Sequence, residues 1–401
     1  MTEPQIAKGL SGIYSDYTRI STVVDATNSL TYYGYPVQEL AEFCRFEEVA
    51  YLLWHGELPS VDQLKKFEQE ERGQRQISHK LLTVLKQCRA EAHPMDTLRT
   101  AISFMGVEDL TWADLSPAAN LKKSVKLLAQ IPTIIAADFR LRKGMEPIAP
   151  RPDLGLAENF FYMYFGEVPQ QEVVKCFDAS LTFYAEHSFN ASTFAARVIV
   201  SSLSDIYSAV TGAIGALKGP LHGGANEAVM HMLLDIQEPS RAQAWINEAL
   251  SEKKKLVMGF GHRVYKHGDS RVPYMTKVFH EMAKIKSGQK WVEIENILAT
   301  TMLEKKNIHP NLDYPVGPSY YLMGFDIPVF TPIFVISRIT GWAAHIMEQL
   351  ADNKLMRPLS LYNGVPQRPV QPLSKRKAAE YRCLFSLTAL IFTETSGGGL
   401  T

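Results

Sequence analysis

Apolar residues recur every three or four positions along most of this chain, which is the pattern of amphipathic helices. The first clear stretch runs from Glu39 to His55 and is followed by helix-stopping residues, Gly56 and Pro59. The same spacing predicts helices over 95–105, 168–185, 192–217, 241–254, 273–286, 291–305 and 329–351. Few segments alternate with the period of two that strands require. The predicted fold class is therefore all-α.

Local signals mark where some of these helices begin. Ser60 is followed three residues later by Gln63, which predicts a capping box. Ser116 followed by Pro117 predicts a helix that begins there, and Pro132 should kink or divide it before Gly144. Residues 11–36 are predicted to be irregular and rich in turns.

The charge balance argues against polyanionic partners. The chain has 401 residues, with 42 Lys plus Arg and 42 Asp plus Glu. A balanced chain carries no overall field toward nucleic acid or an anionic membrane surface. We therefore expect small-molecule partners, no nucleic acid and no membrane.

Cysteine usage and the N-terminus bear on the compartment. The four cysteines lie far apart with no Cys-x-x-Cys pair, which suits a reducing environment. The first ten residues contain Glu3 and lack the apolar centre of a signal peptide. No run of eighteen or more uncharged apolar residues suggests a spanning helix. These features predict a cytoplasmic enzyme.

Candidate chemistry is concentrated in the segment Met258–Arg271. Glycines on both sides of Phe260 let the backbone approach a ligand closely. His262 can polarise a carbonyl or transfer a proton near neutral pH, and the guanidinium of Arg271 matches a carboxylate. Taken alone, the segment is equally compatible with a surface loop that carries solvated charges.

Two further segments present similar groups. Gly219–Glu227 places His222 among glycines, and Asn311–Gly317 presents Asp313 between apolar and proline positions. Two histidines and an aspartate could bind zinc. However, no His-x-x-His or His-x-x-x-His spacing accompanies them, so we expect no metal site.

These segments, with several others, resemble the citrate synthases and most closely the 2-methylcitrate synthases. The resemblance runs from about residue 9 to about residue 376. It is carried by Asp-Ala-Thr-Asn-Ser-Leu (25–30), Tyr-Gly-Tyr-Pro (33–36), Glu-His-Ser-Phe-Asn-Ala-Ser-Thr-Phe (186–194), Gly-Pro-Leu-His-Gly-Gly-Ala-Asn-Glu (219–227), Gly-Phe-Gly-His (259–262), Pro-Asn-Leu-Asp (310–313) and Gly-Trp-Ala-Ala-His-Ile-Met-Glu-Gln (341–349). Each run alone is weak evidence, but all of them in this order are highly specific.

The resemblance implies a citrate-synthase-like architecture. A large helical domain would comprise residues 1–223 and 319–401, with a small helical domain, residues 224–318, inserted in it. The active site would lie in the cleft between them, and domain closure would exclude water. Composition and spacing do not show this division.

The resemblance also implies catalytic roles. Asp313 matches the base that removes the α-proton of an acyl-CoA, His222 the donor to the enolate oxygen, and His262 the group that polarises the oxo group of oxaloacetate. The residues alone leave other roles open: Asp313 could brace a loop, and His222 could be a core histidine bonded to backbone.

Binding residues follow from the same motifs. His187, Arg271, Arg338 and Arg357 match the ligands of the oxaloacetate carboxylates, and Arg357 would come from the second subunit, which implies a homodimer with a shared active site. The positions that match contacts to coenzyme A are Leu256, Val257, Met258, Gly259, Phe260, Gly261, Lys266 and Asn311. Acyl-CoA would be a co-substrate, with no permanently bound cofactor.

The predicted activity is that of a 2-methylcitrate synthase, which condenses propionyl-CoA, and also acetyl-CoA, with oxaloacetate. Asp313 is followed by Tyr-Pro-Val-Gly-Pro, whereas a Phe-Tyr-Ser-Gly type of run is common in citrate synthases. The alternative in the same chemistry is citrate synthase. A paralogue that binds coenzyme A or dicarboxylates without catalysis is disfavoured because the three catalytic positions are retained, and a citryl-CoA lyase module because no ligase domain is attached.

Overall fold

The structure is a computed structural model that describes residues 6–10, 12–251, 256–262, 264–265 and 267–376. It confirms the all-α class. The described residues form helices α1 to α16, in chain order: Val37–Phe43, Phe46–His55, Val61–Gly73, His79–Gln87, Pro94–Glu108, Pro117–Arg142, Leu156–Phe165, Gln171–Tyr184, Ala191–Ser201, Ile206–Leu217, Ala225–Ile236, Pro239–Ser251, Val272–Ile285, Gln289–Lys306, Asp313–Met323 and Phe330–Ala351.

The region predicted to be irregular, residues 11–36, contains a small antiparallel sheet. Strands β1 (Ser21–Val24), β2 (Ser29–Tyr32) and β3 (Tyr35–Pro36) lie in that order. Ser21 pairs with Tyr32 across the first two strands. The prediction was incomplete here because strands of two to four residues are too short to show a clear alternation.

Two predicted helices are each divided in the structure. The stretch 39–55 forms α1 and α2, and a new helix begins because the Glu48 carboxylate accepts the backbone N–H of Arg45 at 2.9 Å. The stretch 192–217 forms α9 and α10, separated at 202–205. There the Asp205 side chain accepts the N–H of Ser208 at 3.0 Å and caps α10.

The helix starts at Ser60 and Ser116 are confirmed. Gln63 accepts the N–H of Ser60 at 2.8 Å, and Ser116 accepts the N–H of Ala119 at 3.3 Å. Of the two outcomes expected at Pro132, a kink or a division, the division is wrong, since α6 continues through this residue to Arg142; a kink stays a prediction. Pro132 is buried, and α6 packs along α16; this packing offsets the missing backbone hydrogen bond.

Helix α16 is the central element of the core. Nearly all of its side chains are buried, and it contacts α2, α5, α6, α8, α9, α10 and α11. The apolar segment Ile327–Ala351, which includes α16, is long enough to cross a bilayer, but 89% of its most apolar window is buried inside the fold. That degree of burial is typical of a core helix in a soluble protein.

The chain divides into two compact units, residues 1–356 and residues 357–401. In the second unit the described residues, 357–376, are exposed and include a short 3₁₀ turn at Leu373–Lys375. The division into a large domain (1–223 and 319–401) and an inserted small domain (224–318) stays a prediction.

Candidate active site

Asp313 is the first residue of α15, and its carboxyl is held by a tyrosine. The hydroxyl of Tyr184, at the end of α8, donates to Asp313 Oδ1 at 2.6 Å. The Asp313 backbone N–H donates to Asn311 Oδ1 at 3.1 Å. Burial raises the pKa of Asp313 to about 6, against the opposing effects of the Tyr184 hydrogen bond and of Arg271. The carboxylate is therefore an anion at neutral pH and more basic than an ordinary aspartate.

His222 lies in the turn between α10 and α11, and its ring is oriented by Ser192 at the start of α9. The backbone N–H of Ser192 donates to His222 Nε2 at 3.2 Å, and Ser192 Oγ lies 2.8 Å from the same nitrogen. Because an amide N–H can only donate, Nε2 is the acceptor and the ring proton is on Nδ1. Trp342 Nε1–H fixes Ser192 by donating to its Oγ at 3.1 Å.

The same histidine is held neutral. Burial, and secondarily the charge of Arg338, lowers the pKa of His222 to about 4. At neutral pH it is therefore a neutral imidazole with an Nδ1–H directed away from Ser192. Such a group can donate a hydrogen bond to a developing enolate oxygen without first releasing a proton.

His187 and His262 lie close together. Their ring centroids are 4.9 Å apart, and the Tyr265 hydroxyl lies 3.3 Å from His187 Nε2. His262 is exposed, and its Nδ1 accepts the N–H of Val264 at 3.1 Å, so its proton is on Nε2. Burial of the His187 ring, and loss of part of the water around the His262 ring although that residue stays exposed overall, lower the pKa of both histidines, and the charge of Arg271 adds to this effect. Both can act as neutral hydrogen bond donors.

Arg271 immediately precedes α13 and is fixed by a buried ion pair. Its Nε and Nη2 donate to the two oxygens of Asp269 at 2.9 and 2.7 Å, and Nη1 donates to the Phe183 carbonyl at 3.3 Å. Asp269 Oδ2 also accepts the N–H of Leu312, the residue before Asp313, at 3.2 Å. Arg271 is thus ordered before any ligand binds. Asp269, which fixes Arg271, also fixes the backbone next to Asp313.

Arg338 lies in the middle of α16 and is 2% exposed. Its Nε donates to the Tyr184 carbonyl at 2.6 Å, and its guanidinium lies 4.7 Å above the Phe334 ring. Burial lowers its pKa to about 10, so it remains a cation at neutral pH. Its Nη1 is buried and has no hydrogen bond partner within the described part of the chain. A buried guanidinium nitrogen of this kind requires an acceptor, and a ligand carboxylate would supply one.

The glycine loop, residues 256–261, is joined to the segment before Asp313. Gly261 N–H donates to the His309 carbonyl and Asn311 N–H to the Gly259 carbonyl, both at 2.8 Å. The Asn311 side chain donates to the Gly261 carbonyl at 3.0 Å. Gly259 has φ +80°, and a Cβ there would lie 2.7 Å from a methyl of Val229. Only glycine fits this position without displacing Val229. The hydrogen bonds hold the loop next to residues 309–311, which precede Asp313.

The structure brings most of the predicted residues into one electrostatic environment. The charge of Arg338 acts on His187, His222 and Asp313, and that of Arg271 acts on His187, His262 and Asp313.

The roles of the other predicted positions stay predictions. Arg357 is exposed and belongs to the second compact unit. Leu256 is exposed at the start of the glycine loop, followed by Val257 and Met258. Lys266 lies outside the described residues. Contacts of these residues with coenzyme A or with a second subunit stay predictions.

Several residues of the site were not singled out by the sequence. Tyr184 and Ser192 act through tertiary contacts that no local pattern reveals. Asp269 could have been noticed, since it stands two residues before Arg271 and its carboxylate matches that guanidinium. Glu186 is fully buried and bonds His345 at 2.8 Å; its place next to His187 in the Glu-His-Ser run was the available signal. Among the described residues no group of three or more His, Cys, Asp or Glu side chains is placed to hold a metal ion.

Comparisons with known proteins identify the family of this chain. The family profile described as "Citrate synthase, C-terminal domain" matches residues 9–359. The chain is 58% identical over 365 residues to the citrate synthase of Mycolicibacterium smegmatis, covering 91% of this chain and 97% of that protein. It is 56% identical over 365 residues to the 2-methylcitrate synthase of Mycobacterium tuberculosis, covering 91% and 92%.

A solved structure extends the similarity to the fold. It is the ternary complex of carboxymethyl coenzyme A and oxaloacetate with the citrate synthase from the thermophilic archaeon Thermoplasma acidophilum. It superposes with a TM-score of 0.85 at 31% identity and covers 93% of this chain and 100% of that one. The family profile, the similar relatives and the shared fold together show that this chain belongs to the citrate synthase family.

Proposed function

We propose that this protein is a 2-methylcitrate synthase, which condenses propionyl-CoA with oxaloacetate and also accepts acetyl-CoA. The observation that carries the condensation chemistry is the buried Asp313 carboxylate, held by the Tyr184 hydroxyl at 2.6 Å, with its pKa raised by burial to about 6 and lowered in part by the charges of Arg271 and Arg338. This arrangement supplies a base of raised strength beside cations suited to a dicarboxylate. A homologue in complex with oxaloacetate and a coenzyme A derivative supports the same substrates.

The first step is enolisation of the thioester. Asp313 takes the α-proton of the acyl group, and His222 donates its Nδ1–H to the carbonyl oxygen as negative charge develops there. Because both groups are already in the required protonation state at neutral pH, no prior proton exchange is needed.

The second step is the formation of the carbon–carbon bond. Arg271, Arg338 and His187 hold the carboxylates of oxaloacetate, and His262 donates its Nε2–H to the ketone oxygen, which becomes the alkoxide and then the hydroxyl. The α-carbon of the enolate attacks the ketone carbon. Water then cleaves the thioester, which releases the product and free coenzyme A.

Binding of coenzyme A is assigned to the glycine loop. The backbone of residues 256–261, with Asn311 and Lys266, would contact the pantetheine, adenine and phosphate groups. Acyl-CoA is a co-substrate, and we propose no permanently bound cofactor, since proton transfer and carbon–carbon bond formation here use only protein groups. A soluble, cytoplasmic homodimer to which the second subunit contributes Arg357 completes the proposal.

The alternative is citrate synthase, and it is favoured by a specific finding, the 58% identity to the Mycolicibacterium smegmatis protein of that name. The two activities differ by one methylene in the acyl pocket, which is worth only about 1–3 kcal/mol, or about 10- to 200-fold in discrimination. A pocket with room for propionyl-CoA cannot strongly exclude acetyl-CoA, so both thioesters should be turned over.

The decisive experiment measures kcat/KM for propionyl-CoA and acetyl-CoA at saturating oxaloacetate by release of free thiol, with the products identified by mass spectrometry. We expect 2-methylcitrate from propionyl-CoA at the higher kcat/KM. A preference of tenfold or more for acetyl-CoA would assign citrate synthase instead. If neither thioester releases free thiol, the protein is a binding protein without catalytic activity.

A further inference from the structure

Tyr184 contacts both the base and the carboxylate-binding arginine of the proposed site. We propose that Tyr184 is a positioning residue: its hydroxyl holds one oxygen of Asp313 so that the other faces the acyl-CoA, while its backbone and ring fix Arg338. This inference rests on the proposed function. It assigns Tyr184 no direct contact with the reacting atoms.

The contact with Asp313 is short and specific. The Tyr184 hydroxyl donates to Oδ1 at 2.6 Å. No other side chain among the described residues donates a hydrogen bond to this carboxylate. Oδ1 is therefore occupied, and Oδ2 is the oxygen left to accept the α-proton. Without the hydroxyl, the carboxyl group could rotate about its Cβ–Cγ bond and present either oxygen in a range of directions.

Tyr184 also fixes Arg338, the arginine proposed to bind a carboxylate of oxaloacetate. Its carbonyl accepts Arg338 Nε at 2.6 Å. Its ring stacks on Phe334 with a centroid distance of 3.9 Å and an interplanar angle of 30°. Phe334 lies one helical turn before Arg338 in α16, and the Arg338 guanidinium lies over the same ring. One residue at the end of α8 thus sets the distance between the base and the bound dicarboxylate.

The hydroxyl remains a donor throughout the working pH range. Tyr184 is 2% exposed, and burial, together with the negative charge of Asp313, raises its pKa well above the ordinary value. A donor that keeps its proton stabilises the carboxylate form of its partner. Its hydrogen bond opposes the rise that burial causes in the pKa of Asp313.

The test compares Tyr184→Phe with a matched control, Tyr320→Phe. Tyr320 is also fully buried, and its hydroxyl, 2.9 Å from Ser180 Oγ, joins the same two helices, α8 and α15. Each variant loses one buried phenolic hydrogen bond and keeps the aromatic ring. The control therefore shares the structural loss and differs in that its hydroxyl bonds Ser180 and makes no hydrogen bond to Asp313.

Kinetics form the first readout. Tyr184→Phe should lower kcat for propionyl-CoA by about 10- to 100-fold through misplacement of the base. The acid limb of the pH profile of kcat/KM should move to higher pH. The affinity for oxaloacetate, measured by calorimetry without acyl-CoA, should stay within about twofold, since the backbone carbonyl and the ring are retained. Tyr320→Phe should leave the acid limb in place. If both variants behave alike, or if only protein stability changes, Tyr184 has a structural role and the inference is wrong.

A second readout keeps this inference separate from the proposed function. The ionisation of Asp313 can be followed in the full-length protein by infrared difference titration, with the band assigned by its loss in Asp313→Asn. The titration should move to higher pH in Tyr184→Phe and not in Tyr320→Phe. An inactive wild-type protein would overturn the proposed function, whereas an unmoved Asp313 titration in Tyr184→Phe would overturn the role of Tyr184.

Discussion

Replacing Asp313 by asparagine should abolish condensation and, at neutral pH, make the protein more stable. Burial raises the pKa of Asp313 from 3.8 to about 6, so folding at neutral pH takes an ionised carboxylate into a site that favours the protonated form. This rise corresponds to about 3 kcal/mol of stability, because each tenfold change in proton affinity is worth about 1.4 kcal/mol. Asparagine retains Oδ1 as an acceptor for Tyr184 and carries no charge.

The gain in stability should depend on pH with a definite sign. Below a pH of roughly 3.8 the carboxyl is protonated in both folded and unfolded states, so the site imposes no penalty. Between the two pKa values the unfolded chain ionises first, and the wild-type protein loses stability as pH rises; the full penalty is reached above about pH 6. Because asparagine does not titrate, the difference in unfolding free energy should grow by about 1 kcal/mol between pH 5 and pH 7.

Urea unfolding at one fixed protein concentration and at pH 5, 6 and 7 measures this difference. Asp352→Asn, at an exposed residue after α16, is the control and should differ from wild type equally at every pH. Condensation by Asp313→Asn should fall by about 100- to 10,000-fold. A variant less stable than wild type at pH 7, or a difference that does not change with pH, would refute the raised pKa. Near-wild-type turnover would show that Asp313 is not the base.

Three other outcomes are expected. The kcat/KM of the wild-type protein should rise with pH through about 6, because only the ionised Asp313 accepts a proton; a flat profile from pH 5 to 7 would contradict this. Arg338→Ala should weaken oxaloacetate binding about 10- to 100-fold in calorimetry, whereas Arg151→Ala, at a partly exposed arginine paired with a neighbouring aspartate, should not, and equal binding by both variants would exclude Arg338 as a ligand. Co-refolding Arg357→Ala with Asp313→Asn should restore activity that neither has alone, through mixed dimers with one complete site. If mass spectrometry shows mixed dimers without activity, the shared-site idea is wrong.

The helical class of the fold follows from the sequence alone. The spacing of apolar residues predicted it, and short-range signals placed individual helix starts at Ser60 and Ser116. These features depend on residues within one or two helical turns of each other, so the sequence alone contains the information that determines them. The failure at Pro132 has a cause beyond that range. Pro132 does not divide α6 because packing along α16 outweighs a local preference.

Some candidate residues, His222, His262 and Asp313, were also evident from the sequence, because they lie in short runs that combine glycine, histidine or a carboxylate. The others, His187, Arg338 and Arg357 among them, were implied by the family resemblance. What those residues can do was decided by tertiary contacts. Tyr184 and Asp313 are 129 positions apart in the chain and 2.6 Å apart in the fold, and no local pattern predicts such a pair. Burial sets the basicity of Asp313 and keeps His222 neutral, and within the described residues one buried nitrogen of Arg338 has no hydrogen bond partner. Desolvation depends on the sum of many distant neighbours, so it exists only once the chain has folded.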